Sequence, residues 1–153
     1  MIDETSASAR QIGDVLARYC VGMDTGRMGD VLAVFTADAT LTMFGQTASG
    51  SDAIRSLFQN LGRRAANVPG LRSTKHQLTT WTHSVSADGT ANSIAYVTVM
   101  TNLGLDNWGQ YEDELRLIEG QWRITTRTLT IDGYTPGGVG AVMSDNSTQA
   151  ASH

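Results

Sequence analysis

ANSIAYVTVMTNL, residues 91–103, is one of four long runs rich in threonine, valine and aromatic residues. The others span about residues 73–85, 108–118 and 121–131, and β-branched and aromatic enrichment of this kind predicts strands. Asp88-Gly89 and Glu119-Gly120 are short turn sequences of the kind hairpins use, so the natural reading is four antiparallel strands. Upstream the period changes. Ile12, Val15, Leu16 and Tyr19 recur at helical spacing, with Ser6 or Ser8 able to cap the start, and a second short helix carries Val31, Leu32 and Phe35 and ends before Asp38. Thr40 to Met43 alternates like a strand, and Gly45 and Gly50 mark turns. Ser51-Asp52 opens a third helix with Ile54, Leu57, Phe58 and Leu61 on one side, stopped by residues 67–70. After Ile131 the chain is rich in Gly, Ser and Asn and loses its periodicity. The expected organisation is therefore one domain over residues 1–132 and a flexible tail over 133–153. Helices followed by an antiparallel sheet make an α+β fold in which the sheet buries one face under the helices, and such a cup encloses a pocket.

Composition narrows the function. The chain has 153 residues, 41% of them hydrophobic, enough for one core and too few for two domains of ordinary size. Its net charge of -4, with scattered Lys and Arg, offers no basic surface for phosphates, so no nucleic-acid partner is expected. Cys20 is the single cysteine, which excludes an intramolecular disulfide and a thiolate metal cluster and fits a reducing compartment. An acidic, polar N-terminus and the lack of an apolar run of about 20 residues lead to the expectation of a soluble, unprocessed cytoplasmic protein with no membrane partner. No glycine-rich phosphate loop, His-Glu-x-x-His pattern or Gly-x-Ser-x-Gly elbow occurs, so neither a cofactor nor a metal is expected.

Asp24 falls where the first helical pattern gives way to Thr25-Gly26, which puts its carboxylate at a helix end and able to face inward. If it meets His76, the isolated histidine of the first long strand, the two form a proton donor or acceptor tunable near neutral pH. The plainer alternative has Asp24 capping the next turn and His76 half-buried with a backbone partner. Tyr19, on the buried helix face, can offer its phenol to a carbonyl or a developing oxyanion, or can be a core aromatic. Trp81, Tyr96, Trp108 and Tyr111 are large enough to shape a pocket for an aromatic, polyketide or terpenoid ligand. Met43, Phe44, Val97, Val99 and Met100 would supply adaptable apolar lining, although ordinary core packing also suits every one of these residues. Trp122 and Ile124 read as structural. Asp113 and Arg127 read as a solvated cross-strand pair near the pocket mouth, worth under about 1 kcal/mol, and Glu112, Asp113 and Glu114 as one inward and two outward side chains. His83 lies an odd number of residues from His76, so an unbroken strand sends it to the opposite face, toward surface or interface, unless a bulge intervenes. His153 belongs to the tail.

From Ile12 to Asp132 the chain resembles the SnoaL-like domains of the nuclear transport factor 2 superfamily. The resemblance runs through Tyr19, Asp24, Phe35, Asp38-Ala39, Gly50 with Ala53-Ile54, His76, Asp88-Gly89 with Ala91, Tyr111 with Asp113, Gly120 with Trp122 to Ile124, and Arg127. It implies a cone of helices around a curved sheet, a homodimer through the outer sheet face, and an apolar pocket at the wide end. It also implies that Asp24 orients His76, as in scytalone dehydratase, and that Tyr19 resembles the oxyanion donor of ketosteroid isomerases. Two family features are missing. Met43 stands where those isomerases carry an aspartate base, and residues 91–103 lack the dehydratase's second histidine. Fold alone does not choose a reaction. The expectation is a cofactor-independent dehydratase, isomerase or cyclase acting on a small hydrophobic or aromatic metabolite through Asp24, His76 and Tyr19. The competing expectation is a non-catalytic binding or assembly subunit resembling the β subunits of ring-hydroxylating dioxygenases.

Overall fold

The structure is a computed structural model describing residues 4–150. The first three residues, read above as part of an acidic N-terminus, and His153 lie outside the described residues. Helix α1 (Glu4–Asp24) starts ahead of both serines proposed as caps and is followed by α2 (Met28–Ala33). A mixed six-stranded sheet then forms from β1 (Phe35–Met43), β2 (Gln46–Ser49), β3 (Thr74–Val85), β4 (Thr90–Thr101), β5 (Gly104–Ile118) and β6 (Gln121–Tyr134). Helix α3 (Ser51–Ala65) separates β2 from β3, and α4 (Val139–Ala150) ends the described chain. The sheet order is β2-β1-β6-β5-β4-β3, antiparallel throughout except where β1 runs parallel to β6.

The α+β reading and the positions of the four long strands agree with the structure. Phe35 differs: it opens β1 instead of closing α2. The pairing of Thr40 with Ser49 through Met43 with Gln46 reveals a hairpin that the short polar segment 46–49 did not announce. Its two-residue turn is made by Phe44 at φ 49° and Gly45 at φ 73°. Two positive φ values are what a type I′ hairpin turn requires, which explains the glycine.

The core lies between the helices and the concave sheet face. Ile12, Leu16 and Tyr19 of α1 are at most 1% exposed, and Ile54, Leu57, Phe58 and Leu61 of α3 form one buried stripe at i, i+3, i+4 and i+7. Trp122 and Ile124 pack into the same core, as expected.

The segment from residue 133, expected as a flexible tail, carries regular structure among the described residues. β6 continues to Tyr134, and after the Pro136 to Gly138 turn the chain forms α4, which packs against the core through Val139 and Met143. Two polar anchors hold it. Asp106 accepts the N–H groups of Val139 and Gly140 at 2.7 and 2.8 Å, satisfying donors a helix start leaves open, and Arg64 of α3 donates to the carbonyls of Val142 and Met143. Composition alone hid this helix because its stability comes from those long-range partners and from its docking. Among the described residues no helix is long and apolar enough to cross a membrane.

Candidate active site

A cavity of about 220 Å³ opens between the helices and the sheet. Most of its wall is apolar. Met43, Phe44, Val97, Val99 and Tyr111 line it as the sequence suggested, together with Tyr19 and His76. Residues the sequence reading missed complete it: Met23 of α1, Phe58 and Leu61 of α3, Val139 and Met143 of α4, and the polar Thr74 and Asn107. Asn107 carries a readable signal, since Asp106-Asn107 is a pair of strand-disfavoured polar residues directly before the run that begins at Trp108.

Asp24 and His76, 52 residues apart in sequence, meet at the edge of this cavity. β3 is the last strand of the sheet, so one side of its backbone has no strand partner. Asp24, at the end of α1, takes that place. Its two carboxylate oxygens accept the His76 backbone N–H at 3.2 and 3.0 Å, and Oδ1 lies 2.6 Å from the ring Nδ1. A carboxylate can only accept, so this contact places the proton on Nδ1 and leaves Nε2 as the basic nitrogen. Nε2 has no hydrogen-bond partner among the described residues. The His76 side chain is 16% exposed and that of Asp24 7%, so both are shielded from bulk water, while His76 still lines the cavity.

Tyr19 sits at the cavity wall in a second constellation. Its ring packs edge-on against Phe35 and Tyr111, with centroids 6.0 and 5.5 Å apart, and the Arg127 guanidinium lies 4.2 Å from its ring centroid and 4.3 Å from that of Tyr111. Arg127 in turn grips Asp113 through two parallel bonds, Nε to Oδ1 at 2.7 Å and Nη2 to Oδ2 at 2.6 Å. Both side chains are 0% exposed, so the expectation of a solvated pair at the pocket mouth is wrong. Inward parity at Asp113 and Arg127 put the pair under the helices, where the aromatic rings close over it. Asp113 is the inward member of Glu112 to Glu114, as expected. Burial pushes the Tyr19 phenol up to about 12 despite the opposing pull of Arg127, so Tyr19 is a proton donor in hydrogen bonds and not a phenolate at neutral pH. Burial likewise raises the Cys20 thiol to about 11, which leaves it unreactive.

Four expected lining residues lie elsewhere. Tyr96 is 53% exposed, because it alternates with inward Ala95 and Val97 and so faces outward. Trp108 also faces out, its ring lying over Gly133 where any Cβ would collide with it. Trp81 packs beside Gly13 where α1 meets β3, next to His83 with ring centroids 5.3 Å apart, and is not part of the lining. Met100 follows a register shift after Val99 and is not part of the lining. β3 does carry a register shift, between Leu78 and Thr80, but His83 remains outside the cavity wall. Among the described residues no group of three His, Cys, Asp or Glu could hold a metal ion.

The architecture has many relatives. A candidate scytalone dehydratase from Novosphingobium aromaticivorans is 21% identical, with a TM-score of 0.74 over 88% of this chain and 91% of its own. A hexachlorocyclohexane dehydrochlorinase is 21% identical, with a TM-score of 0.73 over 85% of this chain and 88% of its own. The β subunit of a candidate aromatic-ring-hydroxylating dioxygenase, also from N. aromaticivorans, is 16% identical, with a TM-score of 0.72 over 87% of this chain and 94% of its own. No match emerges among curated proteins. At these identities the likeness is one of fold. The family profile of the SnoaL-like domain matches residues 4–128, and with most of the sequence and the whole sheet-and-helix cup in agreement, the chain belongs to the SnoaL-like family.

Proposed function

We propose that the protein is a cofactor-independent acid–base enzyme acting on a small hydrophobic or aromatic molecule. The carrying observation is the 2.6 Å contact between Asp24 Oδ1 and His76 Nδ1 at an apolar cavity, with Nε2 left without a protein partner. In the proposed reaction Nε2 takes a proton from an activated carbon or hydroxyl. The electron pair left behind forms a new π bond or is relayed to a carbonyl oxygen, while Asp24 stabilises the imidazolium. Tyr19, protonated, donates a hydrogen bond to the substrate oxygen. Return of the proton from Nε2 to a leaving oxygen completes a dehydration, and return to another carbon completes an isomerisation or ring closure. Two of the structural relatives are named for eliminations, a dehydratase and a dehydrochlorinase, which supports this class.

Proton exchange tests this reading whichever way the reaction runs. A panel of apolar ketones, alcohols and halides is incubated in deuterated water, and exchange or elimination at activated C–H positions is followed by NMR. Catalysed turnover that falls in His76→Gln and Asp24→Asn supports the proposal, and equal rates in all three proteins overturn it.

The non-catalytic reading keeps two observations in its favour: among the described residues His76 is the single histidine of the cavity lining, and the dioxygenase β subunit shares the fold. It predicts co-purification with a second protein from native extract and no exchange in any ligand. Homodimerisation through the outer sheet face remains part of the proposal, supported by exposed Ile94, Tyr96 and Trp108 on that face. Light scattering on wild type and Tyr96→Glu checks it, with loss of the dimer as the expected result.

A further inference from the structure

Resting on the reading of this cavity as a substrate site, we infer that Asn107 selects ligands carrying a hydroxyl or other hydrogen-bond donor, and that Asp106 is the positioning residue that gives Asn107 this preference. Asn107 is 5% exposed, and what surface it keeps lines the cavity. An asparagine amide has two ends of opposite character, and rotation about its last bond ordinarily lets it serve donors and acceptors alike. Here that freedom is removed. Asp106 Oδ1 lies 2.7 Å from the Asn107 Nδ2, and because a carboxylate only accepts, the NH₂ end is held against Asp106. The carbonyl Oδ1 is the other end, and it has no hydrogen-bond partner among the described residues.

Asp106 cannot easily turn away, since the same carboxylate accepts the Val139 and Gly140 N–H groups at the start of α4. It is 4% exposed and is fixed from three directions. The cavity therefore presents, apart from His76 and Thr74, a hydrogen-bond acceptor of set polarity in a mostly apolar wall.

Its location relates it to His76. His76 pairs with Val99 and Val99 with Asn107 in the sheet register, so the three stand in one row across β3, β4 and β5, and all three line the cavity. Two strand spacings separate the ends of that row by about 10 Å. A ligand of one or two rings bridges this span with its donor on Asn107 and its reactive proton toward His76 Nε2. The class selected is a hydroxylated apolar molecule, a phenol or cyclic alcohol. Ethers and simple hydrocarbons of the same shape leave Oδ1 desolvated and unpaired, and a site built around such a bond rejects the analogue lacking it.

The experiment measures binding and not turnover, so it is independent of any role for Asp24 and His76. Calorimetric titration of the wild-type chain with 4-tert-butylphenol, 4-tert-butylanisole and tert-butylbenzene is expected to show the phenol bound at least about tenfold more tightly than either other ligand. Asn107→Leu should erase that preference while tert-butylbenzene still binds. Asp106→Ala should narrow it by freeing the amide to turn, whereas a purely structural role for Asp106 would weaken all three ligands in proportion. Equal affinities in the wild type, or no binding by any of the three, would overturn the inference. That comparison stands even if a variant fails to fold. His76→Gln should keep the phenol preference. A preference that survives alongside unchanged turnover in His76→Gln would sink the acid–base reading and leave the inference intact.

Discussion

Among the described residues, Asp24 with His76 and Asp113 with Arg127 each bring a carboxylate oxygen within 2.6 Å of a side-chain nitrogen from a distant segment. Asp24 with His76 lies at the edge of the cavity, its side chains 7% and 16% exposed. Asp113 with Arg127 is wholly sealed, the guanidinium covered by the rings of Tyr19 and Tyr111. Equal contact lengths conceal opposite roles. His76 commits only Nδ1 of its two ring nitrogens to Asp24, so its pair is chemically able to pass a proton. Guanidinium does not deprotonate in proteins, and Arg127 commits Nε and Nη2 to Asp113, so its pair can only hold position. Its remaining Nη1 is buried without a hydrogen-bond partner among the described residues. The comparison teaches that contact length alone does not distinguish a pair able to exchange a proton from one that can only hold position, whereas solvent access and the chemistry of the nitrogen group do.

The contrast can be broken most sharply at His76. His76→Gln should lower turnover by about 10²–10⁴-fold, the usual worth of general acid–base catalysis, while shifting unfolding free energy by under about 1 kcal/mol. Steady-state kinetics and denaturant titration on one preparation read both. A large stability loss with intact turnover would invert the roles assigned to the two pairs.

Asp113→Ala should do the converse. Leaving Arg127 charged and unpaired in the core costs about 3–5 kcal/mol, a fall in melting temperature of roughly 10 °C by calorimetry. The double variant Asp113→Leu with Arg127→Met should recover most of that loss, since a well-packed apolar replacement avoids the desolvation of both charges. No recovery would mean that the pair specifies the edge-on packing of Tyr19 and Tyr111 and does more than neutralise itself.

The smallest effect is expected at the phenol between the two pairs. Tyr19 ordinarily titrates near 10 and is raised by burial to about 12, so the folded state binds this proton more tightly than the unfolded chain. The resulting stabilisation is complete below pH 10 and is lost as pH climbs from about 10 to about 12. Ultraviolet titration should accordingly find no phenolate difference between wild type and Tyr19→Phe below about pH 10. A phenolate titrating near neutrality would make Tyr19 a base and end its assignment as a donor.

Much of the architecture was legible because local periodicity is strong. The helical stripe at Ile12, Val15, Leu16 and Tyr19 and the alternation through Ala91, Ser93, Ala95, Val97 and Val99 each name the buried face of their element. The candidate site was legible in residue type and only partly in place. Asp24 and His76 are the sort of residues proton transfer needs, and Tyr111 and Val97 fell on the correct parity. Trp81, Tyr96 and Trp108 were drawn into the pocket by their size, yet size carries no direction. Asn107 was passed over because a polar residue in a strand reads as weak strand character until a cavity gives it something to face.

By itself the sequence determined the first three helices, the first strand and the four long strands in their order, most of the residues sharing each face, and the α+β class, because these follow from backbone periods of 3.6 and 2 within a single segment. Tertiary structure alone decided that the end of α1 reaches the free edge of β3, so that Asp24 meets His76. It also decided that Arg127 and Asp113 are sealed beneath two tyrosines, and that α4 closes over the cavity from a stretch without periodicity. Each of these joins groups from distant segments. A local pattern states which side of an element is apolar, and only the packed whole states what that side meets.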